Sequence, residues 1–113
     1  MPAMSWEAWA RHDATALAER VRKGELTPAE LAAQASEAAT RLNPKLQGVI
    51  ELFADTAGNP DTDRPARDGA LYGVPMFLKD LGSGLAGRMQ DSGSAFTRGT
   101  RIDATDPSIG NFL

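Results

Sequence analysis

The sequence predicts an α/β chain in which N-terminal helices lead into the first strands of a mixed central sheet, a sheet that these 113 residues do not complete. Three observations carry this. The first forty-odd residues are punctuated by helix caps and carry apolar residues at helical spacing. After Pro44 a short β-branched run replaces that period. Leu71 to Asp80 then holds an apolar run without polar alternation, as in a strand covered on both faces. With 42% apolar and 24% charged residues, the composition is that of one globular domain, neither disordered nor membrane-like. It divides into a helical lead over about 13–43 and a strand and loop segment over about 47–113. Most of the glycines lie after Gly58, so the second part is the one that needs further chain to pack against.

Taken in order, Asp13 caps a helix over roughly Ala14 to Lys23, with Leu17, Ala18 and Val21 on one face and Gly24 as its stop. Thr27-Pro28-Ala29-Glu30 forms a capping box with proline in the first turn, which starts a second helix. Leu31, Ala35, Ala38 and Leu42 fall on one stripe of it. Asn43-Pro44 is its predicted end, because a residue before proline avoids the helical region. Gln47 to Phe53 reads as a strand. Asn59 to Gly69 mixes Pro, Asp, Arg and Gly without a period and reads as an exposed loop. Tyr72, Val74, Met76, Phe77 and Leu78 make the central strand, with Pro75 near its beginning. Asp106-Pro107 signals one more helix start. Trp6 and Trp9 read as packing residues of a short N-terminal helix.

A net charge of -3 and a pI near 5.0, without any basic cluster, argue against nucleic acid as a partner. The absence of cysteine excludes disulfides, thiolate metal sites and a cysteine nucleophile within these residues. Glu7, Arg11 and Asp13 stand where a signal peptide needs an apolar core, and no run reaches the length of a membrane span. The expectation is a cytoplasmic protein without a membrane partner. His12 precedes a helix start and reads as solvated.

Lys79 is the residue that points to chemistry, since it ends the apolar run Gly73 to Leu78. An ammonium desolvated by Phe77, Leu78 and Leu81 loses proton affinity, and a neutral lysine is a usable general base. The other reading keeps Lys79 at a strand end, reaching water or pairing with Asp80. Both stand on the local pattern alone. Arg88, Arg98 and Arg101 are equally open, either to an acidic substrate or to a solvated surface.

The combination around Lys79 is more specific. Leu71-Tyr72-Gly73-Val74-Pro75, then Lys79-Asp80-Leu81-Gly82, Ala86-Gly87 and Asp91-Ser92-Gly93-Ser94 resembles the amidase signature family of serine hydrolases. Glu25-Leu26-Thr27-Pro28-Ala29-Glu30-Leu31 is similar to a stretch near the N-termini of that family, and Ala104-Thr105-Asp106-Pro107 to the entry of its next helix. The resemblance runs from about Asp13 to the last residues. It implies a triad of a nucleophilic serine, a second serine in a cis peptide, and the lysine matched by Lys79. That lysine would act as general base through the bridging serine, then return its proton to the departing amine. The reaction would be acyl transfer through an acyl-enzyme to water, with backbone N–H groups holding the oxyanion, and with no metal or cofactor.

In that family both serines lie downstream of the lysine on a Gly/Ser-rich stretch that these residues do not contain. The expectation is therefore the N-terminal piece of an amidase, inactive alone, whose partners are the remainder of the polypeptide and a small-molecule amide, with a homodimer possible. Asp80 is a supporting candidate, orienting Lys79 or a neighbouring loop, or capping the next turn. Ser92 is the second supporting candidate; it and Ser94 match the family's Ser-Gly-Ser turn and not its nucleophile loop, and read as a turn near the cleft whose hydroxyls satisfy backbone groups. Ser83 reads as loop. Two other functions fit the pattern: a glutamine amidotransferase A-subunit role in the same family, and a binding module with a structural Lys79.

Overall fold

The structure is a computed structural model describing residues 3–59, 61–62, 65–82 and 84–112, with the backbone alone for 110–112. The chain forms two compact units, Met1–Pro75 and Met76–Leu113.

Among the described residues, four helices build the first unit. The helix α1, Trp6–Ala10, starts at Ser5, whose Oγ accepts the Ala8 N–H at 3.1 Å. The Trp6 and Trp9 rings meet edge to face at 6.3 Å. Asp13 caps α2, Ala14–Arg22, by accepting the Ala16 N–H at 2.8 Å, and the helix stops before Gly24, which takes the left-handed φ of 73°. The Thr27–Glu30 capping box opens α3, Pro28–Leu46: Thr27 Oγ1 accepts the Glu30 N–H and Glu30 accepts the Thr27 N–H at 2.8 Å. That backbone hydrogen bond from Thr27, aided by the Thr27 hydroxyl, holds the Glu30 carboxyl below its ordinary value.

The core of this unit is Leu17, Leu26 and Leu31, covered by Ala3, Met4, Trp9, Val21 and Val74. The buried face of α3 is Leu31, Gln34 and Ala39, whereas Leu42 of the predicted stripe is exposed. Gln34, only 2% exposed, escapes the cost of a buried amide because it pairs both ways with the backbone of Met4. Its Nε2 donates to the Met4 carbonyl at 2.8 Å and its Oε1 accepts the Met4 N–H at 3.2 Å.

Helix α3 continues through Asn43-Pro44 to Leu46. Gln47, in the left-handed conformation, closes its end by donating to the Asn43 carbonyl at 2.7 Å. The Asn43 side chain then takes both backbone groups of Val49, each at 2.9 Å. Those bonds replace a ladder, and the strand expected over Gln47 to Phe53 is absent. The short helix α4, Ala54–Gly58, packs on α3.

The second expected strand is absent too. Turn bonds run from Gly69 N to Ala66 O, Tyr72 N to Gly69 O and Val74 N to Leu71 O. Gly73 has a φ of 84°, and a Cβ there would stand 2.9 Å from Pro28 Cγ, so the chain turns where an extended run was predicted. The α/β class with the first strands of a mixed sheet is thereby corrected: 40% of the chain is helical, 2% is strand, and the described residues form no sheet. The physical reason is that a central strand requires partners on both edges. Here side chains and tight turns satisfy the same backbone groups.

The second unit has a single buried apolar side chain among its described residues, Leu85. Residues 87–90 run antiparallel to 100–102 around one bridge, Met89 to Arg101, with Gly87 N to Ile102 O at 2.8 Å and Gln90 N to Thr100 O at 2.9 Å. Asp106 starts α5, Pro107–Phe112, as its Asp-Pro signal predicts. Its carboxyl accepts the Ser108 hydroxyl and N–H, which hold it below the ordinary carboxylate value.

Candidate functional site

The second unit places Lys79, Asp80, Leu81, Ser92 and Gly93 around one open pocket of about 240 Å³. The two motifs singled out in sequence, Lys79-Asp80 and Asp91-Ser92-Gly93, are thus neighbours in space. What joins them is Asp80. Its Oδ1 accepts the Asp91 N–H at 2.7 Å and its Oδ2 accepts the Gly93 N–H at 3.3 Å. Ser92 lies between these two amides with a φ of 53°, a left-handed conformation that costs an L-residue energy and persists when its surroundings fix it.

The turn is braced again from its far side. Asp91 Oδ1 accepts the Gly99 N–H at 2.7 Å, the Asp91 carbonyl accepts the Thr97 hydroxyl, and Ser94 Oγ accepts the Phe96 N–H at 3.2 Å. Ser94 is therefore engaged in its own loop. The sequence places Asp91 in its motif without a role and passes over Thr97. An Asx or Thr side chain near a Gly-rich turn was the signal available for them.

Lys79 is exposed, and the shell expected to desolvate it is open: Phe77 is 72% exposed and Leu81 is exposed beside it. Among the described residues Lys79 enters no ion pair. The pairing with Asp80 weighed from sequence does not form, because both carboxylate oxygens of Asp80 face backbone amides. Ser83 lies outside the described residues.

The other candidates are not among the residues that line this pocket. His12 Nδ1 donates to the Ala8 carbonyl at 2.6 Å, closing the end of α1, and so is bound where the sequence suggested a solvated ring. Arg101 Nη1 donates to the Gly87 carbonyl at 2.8 Å. In the first unit, the Tyr72 hydroxyl donates to Asp61 Oδ1 at 3.0 Å, Arg67 pairs with the same carboxylate, and the guanidinium stands 6.0 Å from the Tyr72 ring centroid. Burial first, and then the bond to Asp61, push the Tyr72 hydroxyl above its ordinary value. No group of three or more His, Cys, Asp or Glu among the described residues could hold a metal ion, and no described helix is long and apolar enough to cross a membrane.

Comparison with family models, with curated proteins and with solved structures returned no match for this chain.

Proposed function

We propose that this chain is the lysine-bearing segment of an amidase signature hydrolase that cleaves a carboxamide C–N bond through an acyl-enzyme. In this reading Lys79 is the general base and acid, and the two serines it serves are carried by sequence outside these 113 residues. The observation that carries the reading is the juxtaposition of Lys79-Asp80 with Ser92-Gly93 at one pocket, two motifs that the resemblance pairs. The neutral lysine takes the proton of the bridging serine, the nucleophilic serine attacks the amide carbonyl, and the amine leaves with the returned proton. Water then releases the acid. Because Lys79 is exposed here, the serine-bearing part has to cover it, since a dry, apolar surround favours the neutral amine. The partners are that remainder of the enzyme and a small-molecule amide, in the cytoplasm, with a homodimer as the simplest assembly.

The openness of Lys79 also supports a second reading, a binding module in which the lysine and the exposed Met76, Phe77 and Leu81 contact a partner. One experiment separates the two. Intact-mass analysis of the purified protein identifies any accompanying polypeptide or longer chain, and the assembled material is assayed on simple aryl and aliphatic amides. Lys79→Ala is expected to lower turnover at least about a hundredfold, the lower range for loss of a general base. Full activity of Lys79→Ala, or no hydrolysis by the assembled protein, overturns the hydrolase reading.

A further inference from the structure

We propose that Asp80 is the positioning residue of this site: it clasps the Asp91–Gly93 turn through two backbone amides, seats Ser92 at the pocket, and keeps its own carboxylate off Lys79. The inference rests on the hydrolase reading above and adds to it a residue that never touches the substrate.

The geometry makes the case. A carboxylate next to a lysine in sequence is a ready ion-pair partner, and such a pair would favour the charged ammonium over the neutral base. In this chain that carboxylate is used elsewhere. Its two oxygens accept N–H groups from Asp91 at 2.7 Å and Gly93 at 3.3 Å, one on each side of Ser92. Backbone amides that converge from a turn form a concavity suited to an anion. Asp80 fills that concavity from within the chain.

The clasp has a positional consequence. Ser92 and Gly93 are both left-handed, at φ 53° and 66°, and only the glycine adopts that conformation freely. Without the carboxylate, the Ser92 corner loses the contact that holds it beside Lys79. The brace from Asp91 to Gly99 stabilises the outer loop and makes no link back to residues 79–81. Among the described residues, Asp80 connects the two halves of the pocket through these two bonds.

The test compares Asp80→Ala, Asp80→Asn and Lys79→Ala in the assembled enzyme, with amide hydrogen exchange measured on each. Asp80→Ala is expected to lower kcat about a hundredfold, the scale of a misplacement of about 1 Å, while KM stays within about threefold. Added formate should restore most of the loss by occupying the freed amides, and Asp80→Asn, with one acceptor oxygen, should fall between. Exchange of the Asp91 and Gly93 amides should quicken at least about tenfold while those of α2 and α3 hold. If Lys79→Ala is dead and Asp80→Ala is fully active, the positioning role fails and the hydrolase reading stands. A loss in Asp80→Ala that formate leaves untouched, with faster exchange throughout the unit, assigns Asp80 to stability alone and also overturns the role. An inactive assembled protein, or an active Lys79→Ala, overturns the hydrolase reading and this inference with it.

Discussion

Gln34→Leu probes how the N-terminal segment is held on the core. The side chain is buried on α3 and makes two hydrogen bonds to one residue, donating to the Met4 carbonyl at 2.8 Å and accepting the Met4 N–H at 3.2 Å. Leucine is close to glutamine in volume, so the substitution removes the two bonds and leaves little cavity. Each neutral bond contributes a net 0.5–1.5 kcal/mol or so, which puts the loss at about 2 kcal/mol. The loss is local in the first instance. Ala3, Met4 and Trp9 are the residues that this pair holds against Leu17, Leu26 and Leu31. Both tryptophans of the chain, Trp6 and Trp9, belong to the held segment, so their fluorescence reports its release, while far-ultraviolet circular dichroism reports the longer α2 and α3. In urea, with a slope of about 1 kcal/mol per molar for a chain of this size, the fluorescence midpoint should fall by about 1–2 M. The circular dichroism midpoint should fall by less. Coincident, unshifted transitions would refute the reasoning and make the Gln34–Met4 pair a bystander.

Four further outcomes are expected. Thr27→Ala removes the reciprocal cap of α3 and should cost about 1 kcal/mol in a urea melt. Because the folded Glu30 carboxyl lies below its ordinary 4.5, its contribution is present above that value and lost as pH falls through the folded one. Wild-type stability should therefore decline below about pH 4.5, and less steeply in Glu30→Gln. Tyr72 is the only tyrosine, and an ultraviolet titration should place its ionisation above the ordinary 10.0. The stabilisation tied to its proton is then present below pH 10 and lost as pH rises through the folded value, and Asp61→Asn should bring the titration back down. Gly73→Ala forces an L-residue to φ 84° with its Cβ on Pro28, and a cost of about 2 kcal/mol should lower Tm by about 8 °C. An unchanged melt would mean that the 72–74 turn relaxes freely.

The helices were legible because their signals are local. Asp13, the Thr27–Glu30 box, Gly24 and Asp106-Pro107 each act within one turn of the backbone, and each stands where the sequence placed it. The strands were misread because an apolar run fixes burial without fixing what pairs with its backbone. Val49 is bound by the Asn43 amide, six residues away, and Leu71 to Val74 is folded into turns that Gly73 permits. Gln34 was invisible for a related reason. A polar residue on an apolar stripe looks like a flaw until a distant backbone group, here Met4, arrives to meet it. At the site, the nearness of Lys79-Asp80 to Ser92 was suggested by the order of motifs, but the means, a carboxylate straddling two amides, depended on a turn conformation that no pattern of residue types specifies.

That means of attachment also decides which changes at the site should matter. The second unit has little apolar interior: Leu85 is buried, while Met76, Phe77 and Leu81 are exposed and Phe96 stands free at 101%. Burial therefore contributes little to placing residues 79–81 against 91–93. The placement comes from side-chain acceptors on backbone amides, Asp80 on Asp91 and Gly93, and Asp91 on Gly99. A charged acceptor contributes more per bond than a neutral one and is sensitive to small displacements. Loss of an apolar side chain such as Phe96 should leave the pocket as it is, whereas loss of one carboxylate should open it. Phe96→Ala is the matching control, expected to keep the slow exchange of the Asp91 and Gly93 amides that Asp80→Ala abolishes. If Phe96→Ala releases those amides as Asp80→Ala does, packing rather than the carboxylate clasp sets the pocket.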